Sequence, residues 1–326
     1  MRIFLAPMEG VVDHTMRDML TTFGGIDRCV TEFVRVTTAL LPKRTFLRLC
    51  PELEHDCKTP AGTPVYIQLL GSNPDYMAAN AVRAAELGAV GIDLNFGCPA
   101  KTVNNSDGGA ALLRTPERIY EVVKAVRNAV PNNTPVTAKM RLGFNDKSLA
   151  LDNALACSEG GASELVVHAR TKTDGYKPPA YWEDLVALKK AINIPLIANG
   201  EIWNVDQAMR CRITSECDDI MIGRGMVANP GLAAAIANGG KHIEWPEILP
   251  LLIRFQSYTV SNYEPRFTAN RIKQWLNYLT VNYTEAVVLF ELIKKIRDGH
   301  QVLDLLVAEK QNLSKKQNEN KNIANI

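Results

Sequence analysis

Nowhere does the chain contain the roughly 18 consecutive uncharged apolar residues that a membrane-spanning helix needs. The opening stretch, MRIFLAPMEG, has too short an apolar run for a secretory signal. Charge of one sign is also scarce. The 37 basic side chains face 35 acidic ones, a net of +2, so any contact with nucleic acid must come from a local basic surface. The seven cysteines are odd in number and no pair has CxxC spacing, which argues against a disulfide framework. The five histidines do not cluster with them, so neither a structural zinc nor any other metal is expected. These absences predict reduced thiols and a monomer working in the cytoplasm.

What is present is ample core material: 46% apolar and 22% charged residues, enough for a large folded core. At 326 residues the chain holds about two domains, or one barrel of about 250 residues with an appendage. Eight short apolar runs recur, at 3–8, 29–34, 65–70, 91–95, 136–142, 165–169, 195–198 and 219–222. They do not alternate with polar residues, as expected of strands buried on both faces of a parallel sheet. Amphipathic segments separate them, at 76–87, 116–129, 149–160, 182–191 and 205–212, with stops at Gly88, Pro131 and Gly160. Eight strand–helix repeats predict a (β/α)8 TIM barrel over 1–243. A doubly wound sheet would carry a glycine-rich phosphate loop after its first strand, where this chain reads APMEGVVD. From about residue 246 the strand signals stop. Helical segments predict a small α domain over 244–310, and the polar residues 311–326 predict a tail without order.

In such a barrel, chemistry sits where strands end and loops begin. The runs end in Pro7-Met8-Glu9, in Asn95 followed by Gly97-Cys98-Pro99, in Asn199-Gly200-Glu201 and in Gly223-Arg224-Gly225. Gln68, Lys139, Arg141, His168 and Arg170 lie within or just after runs. The glycines after the last two strands serve either tight turns or backbone N–H contacts to a phosphate. Lys139 is placed either to pair with an acid or to face negative charge on a flat ring. Gln68 both donates and accepts, which suits a ring's amide edge. A strand histidine such as His168 is often only a bonded core residue. Cys98 is the sharpest residue. An ordinary thiol, with a pKa of about 8.5, is protonated at neutral pH and can act as a general acid. A nucleophilic role would need a partner base, and none is visible.

In order along the chain, APMEGVVD, residues 95–99 followed by KTVNNSDGGAALL, KMRLG, VVHARTKTDGY, IANGEI and MIGRG resemble the motifs of the tRNA-dihydrouridine synthases. The segments TEFVRV, LLPKRTF, LCPEL and ANRIKQWLNYL are most similar to the bacterial C subfamily. The resemblance covers about residues 1–310. It implies an FMN-dependent barrel with a helical carboxy-terminal domain that binds tRNA. NADPH would reduce the flavin, the flavin would give hydride to C6 of a D-loop uridine, and Cys98 would protonate C5. By motif position, Pro7, Met8, Glu9, Gln68, Lys139, His168, Asn199, Gly200, Glu201, Gly223 and Arg224 would hold FMN. Asn95 and Arg141 would face the uracil and its neighbours. Arg35, Tyr176, Arg271 and Lys273 would contact tRNA, with position 16 the target. Further basic groups near the mouth, Lys101, Arg170, Lys172 and Lys177, join the candidate RNA surface, and so does Arg266 in the helical part. Trp275 and Leu276 read better as helix core.

The chain departs from the family pattern at Asp107 and Ala169, where glycine is frequent. The same chemistry at another D-loop uridine remains open. So does an FMN barrel reducing a small molecule, which would leave the helical appendage unexplained. An RNA-binding protein with a silent barrel would need neither Cys98 nor Lys139.

Overall fold

All eight expected runs are strands in the computed structural model, which describes residues 1–239 and 242–324. They are β1 (Ile3–Leu5), β2 (Arg28–Val30), β3 (Val34–Arg35), β4 (Val65–Leu70), β5 (Ile92–Phe96), β6 (Val136–Gly143), β7 (Glu164–Thr171), β8 (Leu196–Asn199) and β9 (Asp219–Ile222). The second run is broken, and both of its pieces, β2 and β3, pair with β4. Every pairing is parallel, and the order β1-β2-β4-β5-β6-β7-β8-β9 returns to β1, so the sheet closes into an eight-stranded TIM barrel. The break in the second strand leaves Val34 and Arg35 paired with Leu69 and Leu70, which puts Arg35 at the carboxy-terminal rim.

Helices α1 (His14–Thr21), α2 (Lys43–Leu49), α3 (Pro74–Glu86), α4 (Lys101–Asn104), α5 (Pro116–Ala129), α6 (Ala150–Glu159), α7 (Leu185–Ala191) and α8 (Val205–Ser215) alternate with the strands. Their starts are written in the sequence. Asp13, Asn73 and Asn204 each accept a hydrogen bond from a first-turn backbone N–H, and Pro74 and Pro116 open α3 and α5. Inside the barrel, Phe4, Ala6, Val30, Val166, Ile197 and Met221 form a buried layer against Tyr66. Beneath them the Arg28 guanidinium lies 4.2 Å from the Phe4 ring centre and 4.4 Å from that of Tyr66. It donates to Glu164 at 2.6 Å. A Cβ at Gly91 would fall 2.4 Å from the Tyr66 ring, so this position has room only for glycine.

The chain divides into two compact units, Met1–Gly223 and Arg224–Ile326. The second contains α9 (Arg224–Ala228), α10 (Leu232–Ala237), α11 (Trp245–Asn262), α12 (Asn270–Leu279), α13 (Thr284–Ile293) and α14 (Gly299–Ala324). Its start lies upstream of the 243/244 boundary expected from the sequence, because α9 is tied into the helical core. Trp275 donates to the Val227 carbonyl at 3.1 Å and Asn282 to that of Ala228 at 2.8 Å. Trp275 and Leu276 are buried, with Trp275 edge-on to Phe255 at 5.1 Å. α14 runs on through the polar residues after Gln311, a stretch with neither Pro nor Gly to stop it. No helix among the described residues is long and apolar enough to cross a membrane.

One buried ion pair braces the first βα loop. Arg17 on α1 is fully buried and meets both oxygens of Glu52, at 2.8 and 2.9 Å, while also donating to the Val12 and Leu49 carbonyls. Burial would raise the Glu52 carboxyl, but the Arg17 charge and hydrogen bonds outweigh it and hold it below the usual carboxylate range. Arg17→Met should therefore cost about 3–5 kcal/mol by urea unfolding, because the Glu52 charge is stranded. A carboxyl lowered in the folded state stabilises above its unfolded pKa and loses that contribution as pH falls through the folded value. Stability of the wild type should thus drop steadily below about pH 4.3, and that of Glu52→Gln less steeply.

Candidate active site

Strand β5 carries Asp93 and Asn95, which share a face because side chains alternate along a strand. Asp93 is buried within the barrel. Its Oδ1 accepts from the Thr137 hydroxyl at 2.6 Å and its Oδ2 from Gln68 Nε2 at 2.7 Å. A carboxylate can only accept, so the Gln68 amide must turn its NH2 toward it. Gln68 Oε1 then accepts from Asn95 Nδ2 at 2.7 Å. Asn95 is left with Oδ1 pointing onward, where it accepts the backbone N–H groups of Gly97 and Cys98, each at 2.9 Å. The polarity agrees at both ends, with the Asp93 carboxyl oxygens accepting below and two backbone donors above. The ladder holds the loop that presents Cys98.

Cys98 is half-buried. Burial, with the Glu9 charge, pushes its thiol above the ordinary value, against the Ala100 backbone N–H and the Arg141 and Arg35 charges, which pull it down. It is therefore a protonated thiol at neutral pH. Its carbonyl accepts from the Ala110 backbone at 3.1 Å and from Asn104 Nδ2 at 3.1 Å. Gly109, at φ +59°, lies so close that a Cβ would sit 3.0 Å from Cys98 Cβ. Arg141, buried on β6, donates to Gly97 O, Thr171 O and Gly175 O, all at 2.9 Å. One guanidinium thus joins the Cys98 loop to the loop after β7. The exposed ring of Tyr176, on that second loop, lies 5.1 Å from it.

On the neighbouring strand β6, in register with Asn95, the half-buried Lys139 donates to Asn199 Oδ1 at 3.0 Å, and Asn199 Nδ2 donates to Met221 O at 2.8 Å. Burial, with Arg141 nearby, lowers the Lys139 ammonium to about 8 against a smaller opposite pull from Asp93. At the end of β8, Gly200 has φ +121°, and a Cβ there would reach within 2.8 Å of the His168 ring. The Gly200 carbonyl is held by Trp182 Nε1 at 2.9 Å. A Cβ at Gly223, ending β9, would come 3.1 Å from Met8 Sδ. The two glycines therefore allow close backbone approach beside His168 and Met8. Arg224 follows as the first residue of the second unit.

The expected site residues of the barrel fall into four groups. Asn95, Cys98, Asn199, Gly200 and Glu201 lie at or just beyond strand ends on the carboxy-terminal side, while Gln68, Lys139, Arg141 and His168 lie within β4, β6 and β7. Pro7, Met8 and Glu9 form the turn after β1, where Met8 O accepts from Val11 and Val12. Arg35 and Tyr176 are exposed. Arg170 is not an RNA-facing group. It is wholly buried, paired with Glu201, and hydrogen-bonded to Pro179 O at 3.1 Å. In the second unit, Lys273 donates to Ile296 O and Arg271 to Gln274 Oε1 at 3.1 Å. Sequence reasoning passed over Asp93, Thr137 and Trp182. An aspartate two residues before Asn95 in an otherwise apolar run, GIDLNFG, is the signal that could have found the first. Asp107 sits at φ +56°, the left-handed region that favours glycine, and is tethered by Arg118.

The chain matches the family model "Dihydrouridine synthase (Dus)" over residues 4–322. It is 51% identical over 306 residues to the tRNA-dihydrouridine(16) synthase of Shewanella oneidensis, covering 94% of this chain and 97% of that one. It is 52% identical over 316 residues to the protein of the same name in Pseudomonas putida, covering 95% and 98%. Among solved structures, a variant of NCR from Zymomonas mobilis superposes with a TM-score of 0.53 at 15% identity over 74% of this chain and 88% of that one, a likeness of fold alone. With the family pattern spanning nearly the whole barrel and helical unit, the chain belongs to the dihydrouridine synthase family.

Proposed function

We propose that the chain reduces the C5–C6 double bond of a uridine in the D-loop of tRNA, at position 16, using FMN and NADPH. The observation that carries this reading is a protonated Cys98 thiol held at the barrel mouth by the Asp93–Gln68–Asn95 ladder, in a chain of this family. The tRNA and the position are supported by the names of the relatives that share about half of its residues.

The residues fit FMN. Gly200 and Gly223 end two adjacent strands at the rim where barrels commonly bind phosphate through backbone N–H groups, and their missing Cβ atoms make room for His168 and Met8. Lys139 offers an ammonium beside Asn199, and the Gln68 amide has a second N–H beyond the one Asp93 takes. Bound FMN, reduced by NADPH, would supply the hydride to C6. The protein's own contribution is the rest. Cys98 holds the proton destined for C5, Lys139 offsets negative charge at the ring edge, and the ladder keeps the thiol loop in register. Arg141 holds that loop to the one bearing the exposed Tyr176. A uridine inside folded tRNA must first leave its stack. The exposed Arg35, Lys101 and Lys177 flank the opening as backbone contacts.

Purified protein incubated with FMN, NADPH and unmodified tRNA should yield dihydrouridine mapped to position 16. Product at another D-loop uridine would keep the reaction and replace the target. A flavin-bound protein that leaves tRNA unchanged would replace tRNA with a small molecule as substrate. Cys98→Ala should retain flavin and lose product formation by at least about a hundredfold, the usual worth of a positioned general acid. Asp93→Asn still offers Gln68 an acceptor and should keep activity near that of the wild type. Asp93→Leu strands the buried amide, should cost about 1–3 kcal/mol of stability, and should alter the rate at which iodoacetamide labels Cys98. FMN affinity, followed by fluorescence quenching, should weaken as pH rises through about 8, where Lys139 loses its proton, and should lose that dependence in Lys139→Met.

A further inference from the structure

A cleft of about 440 Å³ opens beside the barrel mouth, inside the roughly 300–1,000 Å³ range of small-ligand pockets. Its walls come from the broken second strand, from the end of α2 and from α4, a few residues after Cys98. Phe33, Leu49 and Val103 make an apolar lining. Arg35 and Arg48 stand at its edge. Arg35 spends Nη2 on two neutral oxygens, Thr102 O at 3.0 Å and Ser106 Oγ at 2.9 Å. Arg48 is exposed, and among the described residues neither guanidinium is paired with a carboxylate. Of the two acids at the cleft, Glu32 is engaged by the Gly10 N–H at 2.5 Å, and Glu9 closes the side toward β1. From residue 35 to 49 the chain carries four cations, Arg35, Lys43, Arg44 and Arg48, and no acid. Arg44 and Arg48 are one helical turn apart and share a side of α2.

We propose that this cleft is a second nucleotide subsite, which takes the nucleotide next to the reacting uridine in the same RNA strand. Its ring lies on Phe33 and its phosphate between Arg35 and Arg48. The assignment rests on the tRNA reading above. A flat ring with a phosphate is a ligand that an aromatic wall beside two guanidinium groups recognises, with the phosphate on the side of Arg35 and Arg48 away from Glu9 and Glu32. The same chemistry exists in the adenine half of NADPH. Two features favour the RNA strand. The cations continue along α2 past the cleft, as suits a backbone that continues, whereas a dinucleotide ends. Arg35 also ties the cleft wall to α4, so an occupant sits beside the loop that presents the reacting thiol.

The test uses the full-length flavoprotein and unmodified tRNA in filter binding across a salt series, with NADPH-driven flavin bleaching measured on the same samples. Arg48→Ala should weaken tRNA binding about tenfold and reduce the salt slope by about one. Phe33→Ala should weaken it about tenfold with the slope unchanged, because stacking releases no counterions. Flavin bleaching by NADPH should be the same in both variants as in the wild type, which also shows that they are folded. Unaltered affinity and slope in both variants would overturn the subsite. Slowed bleaching with intact tRNA binding would overturn the RNA assignment and give the cleft to the dinucleotide. A wild type that itself fails to bind tRNA would overturn the parent reading together with this one, and is told apart by needing no variant.

Discussion

A single buried acceptor orders the chemistry of this barrel. Asp93 receives Gln68 on one oxygen and Thr137 on the other, and that alignment continues upward through the Gln68 and Asn95 amides. Without it, the buried Gln68 amide would lose the acceptor for its NH2, while Asn95 Oδ1 would keep the backbone N–H groups of Gly97 and Cys98. The interior is dry enough for burial to raise the Asp93 carboxyl despite the bonds from Gln68 and Thr137. In such surroundings an unmatched amide is costly, so the network forms completely or not at all.

The barrel beneath sets the height of that network. Arg28, clamped between the Phe4 and Tyr66 rings and bonded to Glu164, closes the lower end with charge, while Phe4, Val166, Ile197 and Met221 fill the middle. At the upper end Lys139, Asn199 and His168 project from three successive strands. The separation follows from strand alternation: residues 164, 166, 168 and 170 of β7 step up the same inner face, from acid to apolar to imidazole to guanidinium.

Most of this frame was legible in the sequence, because unbroken apolar runs separated by amphipathic segments have few other solutions. The strand ends were legible for the same reason, since they are where polar residues interrupt those runs. Three things were not. The break between β2 and β3 leaves no periodic trace in TEFVRV. The burial of Arg170 depends on Glu201, which is 31 residues away in sequence. The start of the helical unit at α9 depends on Trp275 and Asn282 reaching back to carbonyls 48 and 54 residues earlier. Pairings at such separations are set by the fold and have no local pattern to betray them.

Arg141 binds three carbonyl oxygens, one in the loop after β5, one at the last residue of β7 and one in the loop beyond it. Those loops consequently cannot drift apart in length. An inserted residue in either would withdraw at least one carbonyl from a buried guanidinium, unless the other loop lengthened to match. Variation among relatives should therefore strike the two segments together, and a chimera that exchanges only one of them would inherit a mouth whose halves no longer meet.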